Sequence, residues 1–136
     1  MRLSTLMLAS LLAAAGCGSE GPVMHKVQGT VQLASGGQEA LAGSTIEAML
    51  VDQPQVRAFG TIQDDGSFEL ESLHGGNIKA GAVAGKYNAR IILADDDAEQ
   101  RRLAAQAVNP RFLQFETSGL TFDVPSSGEV VLSVSK

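Results

Sequence analysis

Residues 58–70, Ala-Phe-Gly-Thr-Ile-Gln-Asp-Asp-Gly-Ser-Phe-Glu-Leu, constrain the fold of this chain more than any other stretch. Two segments of alternating apolar residues flank Asp64-Asp65-Gly66. Asp-Gly in that setting is a strong short-range turn signal, because the turn needs φ > 0 and glycine has no Cβ to clash there. The pattern predicts a β-hairpin with arms over residues 56–63 and 67–70.

The same period of two recurs along the chain, and it places one face of a strand on a core and the other in water. Val27, Gly29, Val31 and Leu33 alternate with Lys26, Gln28, Thr30 and Gln32. Ile46, Ala48 and Leu50 mark a second strand, Tyr87, Ala89, Ile91 and Leu93 another, and Leu120, Phe122, Val124 and Val130, Leu132, Val134 the last two. Pro54 interrupts the pattern, since proline cannot donate to a ladder. Residues 73–77, with Gly75-Gly76, read as a loop, and the small Gly/Ala-rich residues 78–84 give only a weak strand signal.

Residues 95–108 change register. Asp95, Asp96 and Asp97 precede good helix formers and Arg101-Arg102, a charge order that complements the helix macrodipole. A short helix is predicted over an edge or end of the sheets, terminated by Asn109-Pro110 because the residue before proline leaves the α region. The expected fold class is all-β, a sandwich of about seven antiparallel strands of Ig-like type with one short helix.

The N-terminus reads as an export signal. Met1-Arg2 is followed by an apolar run to Ala15, roughly a dozen residues and too short to span a bilayer, which needs about 20. It ends in Ala14-Ala15-Gly16-Cys17, which resembles a bacterial lipobox, with Ala14 where such motifs usually carry Leu. The resemblance implies that Cys17 is acylated and becomes the mature N-terminus. The expected organisation is a lipoprotein signal peptide over residues 1–16, a tether over 17–24 and a β-sandwich domain over 25–136.

Cys17 is the only cysteine, so an exported chain offers it no partner thiol, and lipidation gives that thiol a role. Several acyl chains, at about 0.8 kcal/mol per buried CH₂, anchor a protein stably. The competing reading is an ordinary cleavage site nearby, with Cys17 incidental.

The formal charge of −5 becomes −6 once Arg2 leaves with the leader, and no basic patch accompanies it. That argues against nucleic acid, whose affinity rests on clustered Lys and Arg. With no tryptophan and one tyrosine, the core must be aliphatic with a few phenylalanines, and the usual stacking platform for sugars or bases is missing.

Three stretches in order, Val27-Gln28-Gly29-Thr30-Val31, residues 60–68 and Gly85-Lys86-Tyr87-Asn88-Ala89-Arg90-Ile91, resemble the carboxypeptidase regulatory-like and Cna B-type domains. Residues 108–112 and 117–124 look like the corresponding part of small lipoproteins of planctomycete-type bacteria. The resemblance implies a transthyretin-like seven-stranded sandwich and a non-enzymatic extracytoplasmic module used for scaffolding, adhesion or presentation. It carries over no functional residues. Lys26, Lys79, Lys86 and Lys136 do not fall in the isopeptide motif of some Cna B-type domains. Nor does the end Val134-Ser135-Lys136 match the C-terminus of the transthyretin-like hydrolases.

Residue by residue, catalysis finds little support. General-base chemistry usually needs a histidine near a nucleophile, and His25 and His74 stand alone in a strand start and a glycine loop, without a second ligand at metal spacing. Asp64, Asp65 and Glu69, or Asp95, Asp96, Asp97 and Glu99, could offer calcium oxygens, but neither set has the alternating loop pattern, and turn and helix-start chemistry explain them. Glu47, Asp52, Glu69 and Glu71 could pair for glycoside chemistry; solvated charges that guard sheet edges explain them better.

Neither a cofactor nor a metal ligand set is expected. Phe112, Leu113 and Phe115 form the one candidate apolar partner surface; the alternative is that they cover an open end of the sandwich. The expected role is therefore a lipid-anchored module in the cell envelope, facing the periplasm or exterior, with a structural or protein-interaction function and an envelope protein as partner. The alternative is a small-ligand module for carbohydrate or peptide, bound by loops at one end of the sandwich.

Overall fold

The alternating segments form strands, and their apolar sides meet in one core. The computed structural model describes residues 21–136. Cys17, the signal-peptide expectation over 1–16 and the first part of the tether lie outside the described residues.

In chain order the strands are β1 Met24–His25, β2 Gln28–Leu33, β3 Thr45–Leu50, β4 Arg57–Thr61, β5 Ser67–Glu69, β6 Glu71–His74, β7 Asn77–Ala80, β8 Ala82–Val83, β9 Gly85–Ile92, β10 Leu120–Val124 and β11 Val130–Val134. Helix α1 covers Ala98–Ala107, and a single helical turn, α2, covers Phe115–Ser118. Short 3-10 turns occupy Gln38–Leu41 and Pro110–Leu113.

A six-stranded sheet runs β10-β9-β3-β4-β6-β7, a three-stranded sheet runs β11-β2-β5, and β1 pairs with β8. The chain is an all-β sandwich with one substantial helix. Its pairing is antiparallel except that the closing strand β11 runs parallel to β2, with Leu132 beside Val31. Two of the strands, β1 and β8, are two-residue bridges, and β1 draws Met24 out of the expected tether into register with Val83.

The core lies between the sheets. Val31 and Leu33 from β2, Ile46 and Ala48 from β3, Tyr87, Ala89 and Ile91 from β9, and Leu132 and Val134 from β11 are buried in it. Tyr87 and Phe122, cross-strand partners on β9 and β10, stack with ring centroids 5.4 Å apart. An aromatic pair of this kind is worth about 0.5–1.5 kcal/mol beyond its area burial. The Tyr87 hydroxyl donates to the Val83 carbonyl at 2.9 Å, so the one tyrosine is buried without an orphaned oxygen.

The predicted hairpin turn exists, but its arms do not stay paired. Gly66 N donates to Gln63 O at 2.9 Å and Gln63 N to Ser67 O at 2.8 Å. Beyond that pair β4 joins the six-stranded sheet and β5 the three-stranded one. The stretch is an arch that carries the chain from one layer to the other. Phe68 and Leu70 both turn into the core, and where the two arms cross, the backbones lie so close that a Cβ on Gly60 would come within 2.6 Å of the Glu69 carbonyl oxygen. The arch is the corner of the sandwich.

Residues 73–77, read as a loop, and the start of the weak strand signal over 78–84 belong to a second tight hairpin, β6–β7. His74 pairs with Asn77 across Gly75-Gly76, whose φ values of 57° and 81° are the left-handed pair a two-residue I′ turn requires. Helix α1 starts where expected: the Asp97 side chain caps it by accepting from the Glu99 and Gln100 backbone N–H groups. It docks on the first 3-10 turn, with Gln100 Nε2 donating to the Ala40 carbonyl at 2.9 Å and Ala104 buried.

Candidate functional site

On the outer face of the six-stranded sheet, strand alternation would put every side chain in water, yet Glu47 is only 7% exposed. Its position explains the burial. Glu47 sits mid-strand on β3, opposite Arg90 on β9 and Phe59 on β4, and Arg57 lies diagonally across on β4. Glu47 Oε1 accepts from Arg57 Nη1 at 2.5 Å, and Oε2 accepts from Arg90 Nε at 2.6 Å.

The connection between β9 and β10 closes over this group. Asn109 caps the 3-10 turn Pro110–Leu113, accepting from Arg111 N, and the chain then places Phe115 so that both guanidinium carbons lie close to its ring centroid, Arg57 at 4.9 Å and Arg90 at 4.8 Å. Cation–π contacts of this kind contribute about 0.5–1 kcal/mol each where partly exposed. Ser118, buried at the end of α2, donates to the Ala89 carbonyl at 2.6 Å and fixes the connection to β9. With both its oxygens held by arginines, Glu47 is not free to act as acid, base or ligand; it clamps the segment 109–118 to the sheet.

The sequence-derived partner surface is divided by this arrangement. Phe112 is 2% exposed and belongs to the core, so it is not part of a docking patch. Leu113 packs partly buried against the core, and Phe115 lies partly buried against the two arginines. The physical reason is the two short helical turns, which point Phe112 inward and Phe115 onto the Arg57–Arg90 pair. Phe112 fills the core, while Leu113 and Phe115 each keep part of their surface exposed.

Beside the clamp the arch opens a groove of about 660 Å³. Thr45, Phe59 and Thr61 form one wall, Gln63 the end, and Glu69 and Glu71 lie on the stretch where β5 passes into β6. β5 is the last strand of its sheet, and β4 pairs with β6 only through Ala58 and Phe59. Gly60 and Thr61 therefore make no ladder pair on that side, where buried Gly60 lies against the Glu69 backbone. Phe59, 40% exposed, is its aromatic surface.

The other sequence candidates scatter. Gln28 Nε2 donates to Glu69, and Lys26 Nζ is 3.7 Å from the same carboxylate. Asp65 Oδ1 accepts from the Ser67 hydroxyl at 2.6 Å and from Ser67 N at 2.9 Å, and these two bonds, the hydroxyl's foremost, hold its carboxyl below the ordinary value. Asp95 pairs with Arg101, and Glu99 with Arg102 at 2.7 Å. His25 lies in β1 and His74 at the end of β6, in different strands. Among the described residues no three His, Cys, Asp or Glu side chains gather as a metal site.

A second cavity, about 400 Å³, lies between Pro22 and Met24 of the N-terminal segment, Leu73 of β6 and Val56. Neither cavity is lined by Tyr87 or Phe112, both of which are buried. Sequence reasoning missed Arg57 and Arg90 as partners of Glu47; the available signal was an opposite charge on the polar faces of two clean strands, Glu47 between Ile46 and Ala48 and Arg90 between Ala89 and Ile91. No protein-family model, no curated protein and no solved structure matches the chain.

Proposed function

We propose that the chain is a lipid-anchored, extracytoplasmic β-sandwich module with a structural or protein-interaction role, held to a membrane of the cell envelope through Cys17 and acting without catalysis. The observation that carries the interaction role is the groove at the arch, where β5 is the last strand of its sheet and β4 runs on past its pairing with β6 to exposed Thr61. Exposed strand edges accept an extended segment of a partner by main-chain pairing, with side-chain pockets setting preference. Glu69 and Glu71 on one side and Phe59 on the other favour a partner segment carrying basic and apolar residues in alternation. The anchoring role rests on Arg2, the apolar run and Ala14-Ala15-Gly16-Cys17. The relation to carboxypeptidase regulatory-like and Cna B-type domains belongs to the same reading, supported by the order of the three sequence stretches and by the sandwich.

A second reading is a small-ligand module in the same groove, favoured by its volume and by Thr45, Thr61 and Gln63, which offer hydroxyl and amide groups for a carbohydrate or peptide. Fractionation of the native host tests the anchoring: the protein is expected in the membrane fraction, resistant to high salt and released by detergent, while Cys17→Ser is expected in the soluble envelope fraction. A wild-type protein that is soluble without detergent sinks the proposal.

A further inference from the structure

We infer that the β6–β7 hairpin, with Val23 beside it, is a membrane-contact surface that rests on the leaflet holding the acyl chains. The inference depends on the anchoring at Cys17 proposed above. Leu73 and Ile78 are cross-strand partners next to the Gly75-Gly76 turn, 66% and 72% exposed, and Val23 is 73% exposed. Apolar side chains this open at a hairpin tip call for a covering surface.

The chain itself says what lies near. A Cβ built on Gly21 would meet His74 Nε2 and Lys79 Nζ at 3.6 Å each, so the N-terminal segment enters the domain against this hairpin. Cys17 is four residues before Gly21, and four residues of even fully extended chain reach about 14 Å. An acylated Cys17 at the headgroup level therefore holds the hairpin against the bilayer, whose headgroup layer is about 5–8 Å thick.

Charge points the same way. In a chain of net charge −5, residues 72–86 contain no Asp or Glu and carry Lys79 and Lys86, and residues 21–26 likewise contain no acid. Anionic headgroups attract such a region, whereas the acidic remainder of the domain is repelled into solvent. The nearest carboxylate on the hairpin is Glu71, at the end of β6 away from the tip.

The chain has no tryptophan, which makes a fluorescence test clean. Leu73→Trp, Ile78→Trp and, as a control on the three-stranded sheet, Val131→Trp would be prepared as full-length protein whose acylation is verified by intact mass, then placed in phosphatidylglycerol-containing vesicles with brominated acyl chains. The expected result is loss of most of the fluorescence and a blue shift at positions 73 and 78, with position 131 unaffected. Acylated protein with unquenched tryptophan at both hairpin positions overturns the inference and leaves the anchor standing. So does a blue shift without bromine quenching, which would mean that a protein covers the tip, and so does equal quenching at position 131. A mass without acyl chains overturns the anchor, and this inference with it.

Discussion

Glu47 on β3 and Arg90 on β9 are direct cross-strand partners on the outer face of the six-stranded sheet, joined by an Nε–Oε2 hydrogen bond of 2.6 Å. Arg57 holds the other carboxylate oxygen, and Phe115 covers both guanidiniums. One buried carboxylate thus fixes three strands and the connection that precedes β10.

Removing that carboxylate leaves two guanidiniums adjacent and unneutralised. Glu47→Gln is expected to destabilise the fold by about 2–3 kcal/mol, below the cost for a fully buried pair because each arginine keeps about a third of its exposure. Urea unfolding would show a lower midpoint with an unchanged slope. In a double-mutant cycle Glu47→Gln and Phe115→Ala should be clearly non-additive, since both act on the same guanidiniums.

The arch depends on a close backbone approach. Gly60→Ala would put a methyl within 2.6 Å of the Glu69 carbonyl oxygen, and backbone cannot yield as a flexible side chain does. The expected cost is about 1–3 kcal/mol, as for other overpacked sites. Gly128→Ala, where a Cβ meets nothing within 4 Å, should be near neutral, and thermal melts of the two variants make the comparison.

Burial raises the Tyr87 phenol above its ordinary value of 10.0. Because the folded state holds the proton more tightly than the unfolded chain, this contribution is fully present below pH 10.0 and is lost as pH rises from there toward the folded-state value. Stability measured from pH 9 upward should therefore fall for the wild type and stay flatter for Tyr87→Phe. At neutral pH the same variant should lose about 1 kcal/mol for the hydrogen bond to Val83.

Asp65 shifts the other way. Its lowered value means that its contribution is present above pH 3.8, the ordinary carboxyl value, and is lost as pH falls through the folded-state value below it. An NMR titration should place the Asp65 midpoint below 3.8, and Ser67→Ala, which removes the hydroxyl donor, should move it up toward that value.

Much of the framework was legible because its strands alternate cleanly. β2, β3, β9, β10 and β11 each have an apolar face on the core, and Asp97 caps α1 from within the aspartate run. The β6–β7 hairpin was not legible, because Leu73 and Ile78 are its only large apolar residues and both point outward. Gly75-Gly76 signalled a turn, but no buried face fixed the strands beside it. The divergence of β4 and β5 was equally hidden: a turn signal is local, whereas the sheet an arm joins depends on partners such as β2 and β6. For the same reason the Glu47 clamp showed in the sequence only as opposite charges on polar strand faces, and which of them meet was hidden, its arginines lying 10 and 43 positions away and reaching it only through strand register. Phe112 and Phe115 are alike in sequence; two short turns send one into the core and the other onto the arginines.

Whether Cys17 anchors the protein is decided by the intact mass of the protein purified from its native host. The expected result is a chain that begins at Cys17 and carries the added mass of acyl chains, absent from Cys17→Ser. An unmodified chain cut at another position would contradict it, and would leave a freely diffusing β-sandwich whose arch groove binds its ligand in solution.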